Sequence, residues 1–146
     1  MKRQTKMAML ALGLAAMTTF AQTAKKSGEG KIPQVVLNSF KKEFPNAKKV
    51  EWENEKGNYE ANFDLGKSEI SALYSANGEK LETETEISAA QLPASVKTYV
   101  MQNKIGKIKE AAKIQKANGT VQYEAEISGK DYIFDQNGKF LKSQKE

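Results

Sequence analysis

The chain has 146 residues, with 23 Lys and Arg residues against 18 Asp and Glu residues, and it contains neither Cys nor His. The lack of both residue types excludes disulfides, thiol nucleophiles, histidine general bases and the usual zinc sites. Part of the formal charge of +5 comes from Lys2, Arg3 and Lys6. No stripe of basic side chains is left to neutralise a run of phosphates, so we expect no nucleic-acid partner.

The first 21 residues have the layout of a secretory signal peptide. A basic segment over residues 1–6 precedes an apolar run over residues 7–17, which is too short to span a bilayer. Small residues at Thr19 and Ala21 then predict cleavage after Ala21. We therefore expect a soluble periplasmic or secreted protein with no membrane association after cleavage. Residues 22–30 are polar and contain glycine, which predicts a flexible lead-in.

A helix followed by short strands is predicted from Ile32 onwards. Apolar residues recur at three- and four-residue spacing up to Phe44, and Pro45 ends the helix because it disfavours helical geometry at the residue before it. The period then changes to two, with Val50 and Trp52 alternating with glutamates. Further alternating runs over residues 59–65, 70–74 and 80–87 are separated by turns that contain Gly. This pattern predicts an antiparallel meander.

The second half of the chain repeats the first. A second Pro-initiated helix is predicted from residue 92, which is 60 residues after the first, and Tyr-Glu-Ala occurs at residues 59–61 and again at 123–125. Both halves end on Asn-Gly followed by Leu. Ala112 and Ile114 are aligned with Val50 and Trp52, so that they should face the core. A period of about 60 residues indicates a duplicated unit.

We therefore predict an α+β fold made by tandem duplication of a helix plus a three- or four-stranded antiparallel meander. Neither unit buries enough surface alone, so both helices should lie on one face of a combined antiparallel sheet, over a shared core. The predicted domain spans residues 31–146, with repeat 1 at about 31–88 and repeat 2 at about 91–146. Trp52, Tyr59, Tyr74 and Tyr123 fall on apolar strand faces and are assigned to the core.

The strands direct acidic and amide side chains away from the predicted core, where we expect them to be solvated. An open polar face of this kind can receive a basic protein partner by charge complementarity. The candidate protein-binding face consists of Glu51, Glu53, Glu60, Asn62, Asp64, Glu82, Glu84, Gln122, Glu124 and Glu126.

Carboxylates of this kind can also serve in acid–base catalysis or bind calcium. Acid–base catalysis needs an acid that an apolar pocket keeps neutral, and solvated acids do not meet that need, so we predict no enzyme, no catalytic residue and no cofactor. Calcium binding by the same oxygens is an alternative, although the chain has no EF-hand or RTX-type loop and no metal ligand can be assigned.

The sequence resembles a PepSY-like, β-lactamase-inhibitor-protein-like family of exported proteins from Bacteroidetes-type bacteria. The resemblance covers residues 32–141 and is carried, in this order, by SFKKEFPNAKKVEWENEKGNYEANF, SALYSANGEKLETE and LPASVKTYV. It implies tandem helix-plus-sheet modules and no catalytic residues. The lack of Cys sets this chain apart from the disulfide-containing β-lactamase inhibitor protein.

The function that the resemblance implies is that of a non-enzymatic exported binding module. Its partner would be a protein, with a periplasmic or secreted hydrolase as the object of inhibition through the polar sheet face. The alternative is an envelope sensor of a ligand, a peptide or a calcium ion that uses the same acidic face. The residues identify neither the partner nor the oligomeric state.

Overall fold

The computed structural model describes residues 31–145, and the predicted signal peptide and lead-in lie outside this range. Two helices and eight strands follow one another as two copies of the order helix–strand–strand–strand–strand. The first copy comprises α1 (Gln34–Glu43), β1 (Lys48–Glu55), β2 (Asn58–Leu65), β3 (Ser68–Tyr74) and β4 (Lys80–Ile87). After a 3-10 turn at Ala89–Gln91, the second comprises α2 (Ala94–Gln102), β5 (Glu110–Lys116), β6 (Val121–Glu126), β7 (Lys130–Asp135) and β8 (Phe140–Lys145).

All eight strands form one antiparallel sheet in sequential order, so that β1 and β8 are its edges. The strands β4 and β5 join the two repeats through a register in which Glu84 faces Ile114. Both helices lie on the same face of this sheet, as predicted, because α1 packs on Ala61 and Ala72 and α2 packs on Ala111 and Ala125. The α+β tandem duplication is thus confirmed, with four strands in each copy.

The apolar interior is divided into two clusters rather than shared. In the first repeat, Phe40 of α1 meets Phe63 and Trp52 edge-on, with ring centroids 5.0 and 5.2 Å apart. In the second repeat, Tyr99 of α2 stacks on Phe140 with centroids 4.9 Å apart. The predicted shared core is therefore wrong.

The separation follows from the strands at the join. On the helix face of β4 and β5, the side chains between the two clusters are polar and partly or fully exposed, namely Thr83, Thr85, Lys113 and Gln115. A polar strip of this kind cannot continue an apolar interior. Helix α1 therefore covers β1 to β3, and α2 covers β5 to β8.

The alignment of β5 with β1 is displaced by three residues from the predicted one. Ala111 faces Ala125 and packs under α2, so that Ala111, and not Ile114, occupies the position of Trp52. Ala112 and Ile114 consequently lie on the opposite face, where both are buried. A shift by an odd number of residues reverses the direction of every side chain in a strand, because the strand period is two.

The Asn-Gly turns at residues 77–78 and 137–138 approach the helices closely, and this requires glycine. At Gly138 the backbone has φ +78°, and a methyl group there would lie 3.1 Å from Cβ of Pro93 and would also strike Ser95. The Ser95 hydroxyl donates a hydrogen bond of 2.7 Å to the carbonyl of Asn137 in the same turn. Each turn between the last two strands of a repeat is thereby fixed against the start of its helix.

Within residues 31–145, no helix is long and apolar enough to cross a membrane.

Candidate functional site

The candidate site is the face of the sheet that points away from both helices, which we call the polar face. Cross-strand pairing places the predicted residues on this one face in continuous rows. One row runs from Asn62 through Ser71, Glu84 and Ile114 to Gln122. A neighbouring row contains Glu53, Glu60, Leu73, Glu82 and Lys116. The remaining predicted residues follow the same alternation, namely Glu51, Asp64, Glu124 and Glu126.

The prediction that these side chains are solvated is wrong for five of the ten predicted residues. At the centre of the sheet, the acidic side chains are no more than 6% exposed. They are Glu60, Glu82, Glu84, Glu124 and Glu126, together with Asp131, which the sequence analysis did not select.

The physical reason is the position of these residues within the sheet. A side chain on an inner strand has neighbours on both adjacent strands, and directly opposite residues have Cβ atoms only about 5 Å apart. On the polar face several of those neighbours are buried apolar residues, namely Leu73, Ala112, Ile114 and Ile133. Irregular register in β1, between β3 and β4, and between β7 and β8 adds local bending. The acids are therefore packed within a mixed layer.

Among the residues of the predicted binding face, the exposed ones lie on β1, an edge strand. Glu51 and Glu53 are exposed, while Asn62 and Asp64 on β2 are half-buried. Asp64 forms an ion pair of 2.7 Å with Lys49. The exposed carboxylates of the predicted binding face are thus concentrated on one edge strand.

Glu84 is the most enclosed acid of the polar face. Its side chain is 1% exposed, and neither carboxylate oxygen has a hydrogen-bond partner within the described residues. Burial raises the pKa of Glu84 well above its ordinary value, and the nearby carboxylates of Glu124 and Glu60 raise it further. The Glu84 carboxyl group is therefore harder to ionise than that of a solvated glutamate.

Glu60 lies in a similar environment nearer the edge. Burial raises its pKa to about 8, and the charge of Glu55 adds to the effect, while a hydrogen bond with Ser71 opposes it. Its Oε1 atom is buried and has no hydrogen-bond partner within the described residues. Two acids of the polar face thus have pKa values far from those of solvated glutamates.

Other acids of the polar face are compensated by lysines. Lys116 of β5 forms an ion pair with Glu82 of β4, and both side chains are largely shielded from solvent. Lys109 lies 2.9 Å from a carboxylate oxygen of Glu126. Each pair places a positive charge beside a buried carboxylate, at a position where an isolated charge would be costly.

The lysines, the apolar residues and Asp131 on this face were not predicted from the sequence. Asp131 faces Glu126 across β6 and β7. Asp131, Ile133 and Asp135 occur at every second position, and this period of two was the signal that could have identified Asp131 as a strand residue. Lys116 could be identified only from the register of β4 against β5.

A raised pKa also suits a general acid, but a catalytic acid must reach a substrate. Two cavities of about 380 and 690 Å³ lie where the Asn-Gly turns meet the helices, one in each repeat. They are lined by residues such as Tyr74 and Lys80 in the first repeat and Tyr99 and Phe140 in the second. Neither cavity is lined by Glu60 or Glu84.

Comparison with known proteins gives one family. The family model described as "Putative beta-lactamase-inhibitor-like, PepSY-like" matches this chain twice, over residues 25–81 and 57–142. The first match contains α1 and the second contains α2, and the two overlap over residues 57–81. No curated protein matches the sequence significantly.

Several solved structures have a similar fold. A protein from Bacteroides eggerthii described as periplasmic is 20% identical, with a TM-score of 0.67 over 80% of this chain and 90% of that one. A BLIP-like protein from Bacteroides fragilis is 24% identical, with a TM-score of 0.62 over 81% and 89%. A DUF2874 family protein from Bacteroides uniformis is 16% identical, with a TM-score of 0.65 over 77% and 88%. At these identities the similarity establishes the fold alone.

Proposed function

The chain belongs to the PepSY-like family described as β-lactamase-inhibitor-like, and from this premise we propose that it is a non-catalytic binding module of the bacterial envelope. Its partner would be a protein that presents a basic, extended segment to the β1 edge of the polar face. The observation that carries this proposal is the run of carboxylates at that edge. Within residues 31–145, the carboxylates of Glu51, Glu53 and Glu55 form no ion pair with a lysine.

An edge strand has backbone donors and acceptors that no neighbouring strand satisfies. An extended segment can add to such an edge, and the side chains of the edge strand then select the segment. The three glutamates project from β1 on one side, so lysine or arginine at alternate positions of the incoming segment would face them. Charge complementarity would also accelerate the encounter, with a strong dependence on salt.

A periplasmic or secreted hydrolase is the class of partner that we propose, with inhibition as the outcome. The support is the description of the family and of the Bacteroides fragilis relative as β-lactamase-inhibitor-like or BLIP-like. The periplasmic location is supported by the description of the Bacteroides eggerthii relative. A catalytic role is not proposed, because Glu60 and Glu84 are enclosed and line neither cavity.

The test compares capture of envelope proteins by the wild type and by two charge-reversed variants. Glu51→Lys with Glu53→Lys should abolish capture of a single saturable partner, and capture by the wild type should weaken as salt is raised. Glu79→Lys is the control, because it makes the same change at an exposed acid in the turn before β4. Equal capture by the wild type and the double variant would refute the proposed edge. The captured protein is then assayed for hydrolase activity with and without the module.

A further inference from the structure

Three carboxylates of the polar face converge at the β1–β2 hairpin. Glu53 and Glu60 are directly opposite each other in the sheet, and Glu55 follows Glu53 on the same face of β1. One carboxylate oxygen from each of the three lies within 4.8 Å of the other two. Carboxylates at this spacing repel one another, so their arrangement would gain from a shared cation.

The enclosed member of this group provides a second, independent observation. Glu60 is 1% exposed, and its buried Oε1 has no hydrogen-bond partner within the described residues. A buried carboxylate oxygen normally has a partner in a native structure. No lysine of residues 31–145 forms an ion pair with Glu53, Glu55 or Glu60. The oxygen that lacks a hydrogen-bond partner therefore belongs to Glu60, the enclosed carboxylate of the three.

The hairpin holds the three side chains in register. Its two turn residues, Lys56 and Gly57, have φ of 51° and 91°, which is the geometry of a tight two-residue hairpin turn. The side-chain oxygen of Asn54 accepts a hydrogen bond of 3.3 Å from the backbone N–H of Gly57. The carboxylates are thus placed by a short, ordered connection rather than by a long loop.

We propose that Glu53, Glu55 and Glu60 bind a calcium ion at the β1 edge of the polar face. Calcium takes oxygen ligands at about 2.4 Å, so two ligand atoms on opposite sides of one ion are separated by about 4.8 Å. The ligand set contains only carboxylates, which suits a hard cation and not the softer transition metals. Glu53 is exposed, which leaves one side of the ion open to water. An open site of this type belongs to the weak extracellular class, with a Kd of about 10⁻⁴ to 10⁻³ M.

The calcium site does not depend on the proposed protein partner, because its test uses the purified protein alone. The full chain is expressed, purified, freed of metal with a chelator and titrated with calcium chloride in a calorimeter at constant ionic strength. The expected result is one ion per chain with a Kd in the range given above, and weaker binding of magnesium. Absence of saturable heat up to about 10 mM calcium would overturn the proposal.

Variants then locate the ion. Glu60→Gln, and separately Glu53→Gln with Glu55→Gln, should each weaken calcium binding by about tenfold or more, because the charge of the ligand set determines affinity. Glu79→Gln is the control, since it makes the same change at an exposed acid in the turn before β4, outside the group, and its affinity should stay within about twofold of the wild type. An equal loss in Glu79→Gln would overturn the assignment. Glu53 is exposed, so its variant decides the matter if Glu60→Gln fails to fold.

Discussion

Replacement of Glu60 by Gln should remove a large part of the pH dependence of stability. Glu60 has a pKa of about 8 in the folded protein, against an ordinary value of 4.5. A carboxyl group with a raised pKa binds more protons in the folded state than in the unfolded state. The free energy of unfolding therefore falls as the pH rises from about 4.5 to about 8. Gln keeps the shape of the side chain and cannot ionise.

The size of the effect follows from the two pKa values. Each pKa unit corresponds to about 1.4 kcal/mol, so the full shift represents up to about 5 kcal/mol. Between pH 6 and pH 8 the contribution of Glu60 falls by about 2 kcal/mol. Glu84, whose pKa is also raised by burial, adds a decrease of the same sign.

Urea unfolding at pH 6, 7 and 8 measures this change, with a chelator present so that no cation competes with the proton. The wild type should lose at least about 2 kcal/mol over this range, and Glu60→Gln should lose about 2 kcal/mol less than the wild type does. Glu51→Gln, which alters an exposed acid on the neighbouring strand, should keep the dependence of the wild type. A wild type whose stability is constant or rises towards pH 8 would refute the reasoning.

Three other changes test the packing. Lys116→Met removes the ion-pair partner of a buried acid and should cost about 2 to 3 kcal/mol; a loss below about 0.5 kcal/mol in urea unfolding would contradict this. Gly138 has a positive φ and lies against a helix, so Gly138→Ala should lower the free energy of unfolding by about 2 to 3 kcal/mol. Gly119 has the positive φ without the helix contact, so Gly119→Ala should cost about 1 kcal/mol. Similar losses would contradict the close turn–helix contact. Val36→Ala and Val96→Ala should each cost about 2 kcal/mol and be additive in the double variant to within about 0.5 kcal/mol, because they belong to separate clusters; strong coupling would indicate a shared core.

The sequence was sufficient for the order of elements because two periods are visible in it. Val36 and Phe40 recur at helical spacing, and Tyr59, Ala61 and Phe63 alternate as in a strand with one buried side. The repeat then predicted the topology, since two copies of one helix-plus-meander unit can join their strands into a single sheet. Turn residues such as Gly78 gave the ends of the strands.

The burial of the acidic side chains could not be predicted from the same alternation. A pattern of Glu82, Thr83 and Glu84 tells which side of the strand a residue faces, but not whether neighbouring strands enclose that side. Enclosure depends on which residues of β3 and β5 lie beside β4, and hence on the register. For β5, the run of Ala111 and Ala112 is apolar at both parities, so the pattern did not distinguish the two possible orientations.

The consequence for function is a narrower binding surface than the sequence predicts. Five of the ten predicted residues are enclosed, and they present almost no surface to a protein partner. The fully exposed acids of the predicted set are Glu51 and Glu53, on the β1 edge. Partner binding is therefore expected at an edge strand, not across the broad face.

Site-specific photo-crosslinking in living cells tests this edge most directly. A photoreactive amino acid is placed at residue 51, on the β1 edge, and in a second strain at residue 79, at the turn on the helix side. We expect one discrete crosslinked protein from position 51, which disappears when Glu53 is replaced by Lys, and no such product from position 79. Crosslinks from position 79 alone, or a product from position 51 that persists in the Glu53→Lys background, would contradict binding through the acidic edge.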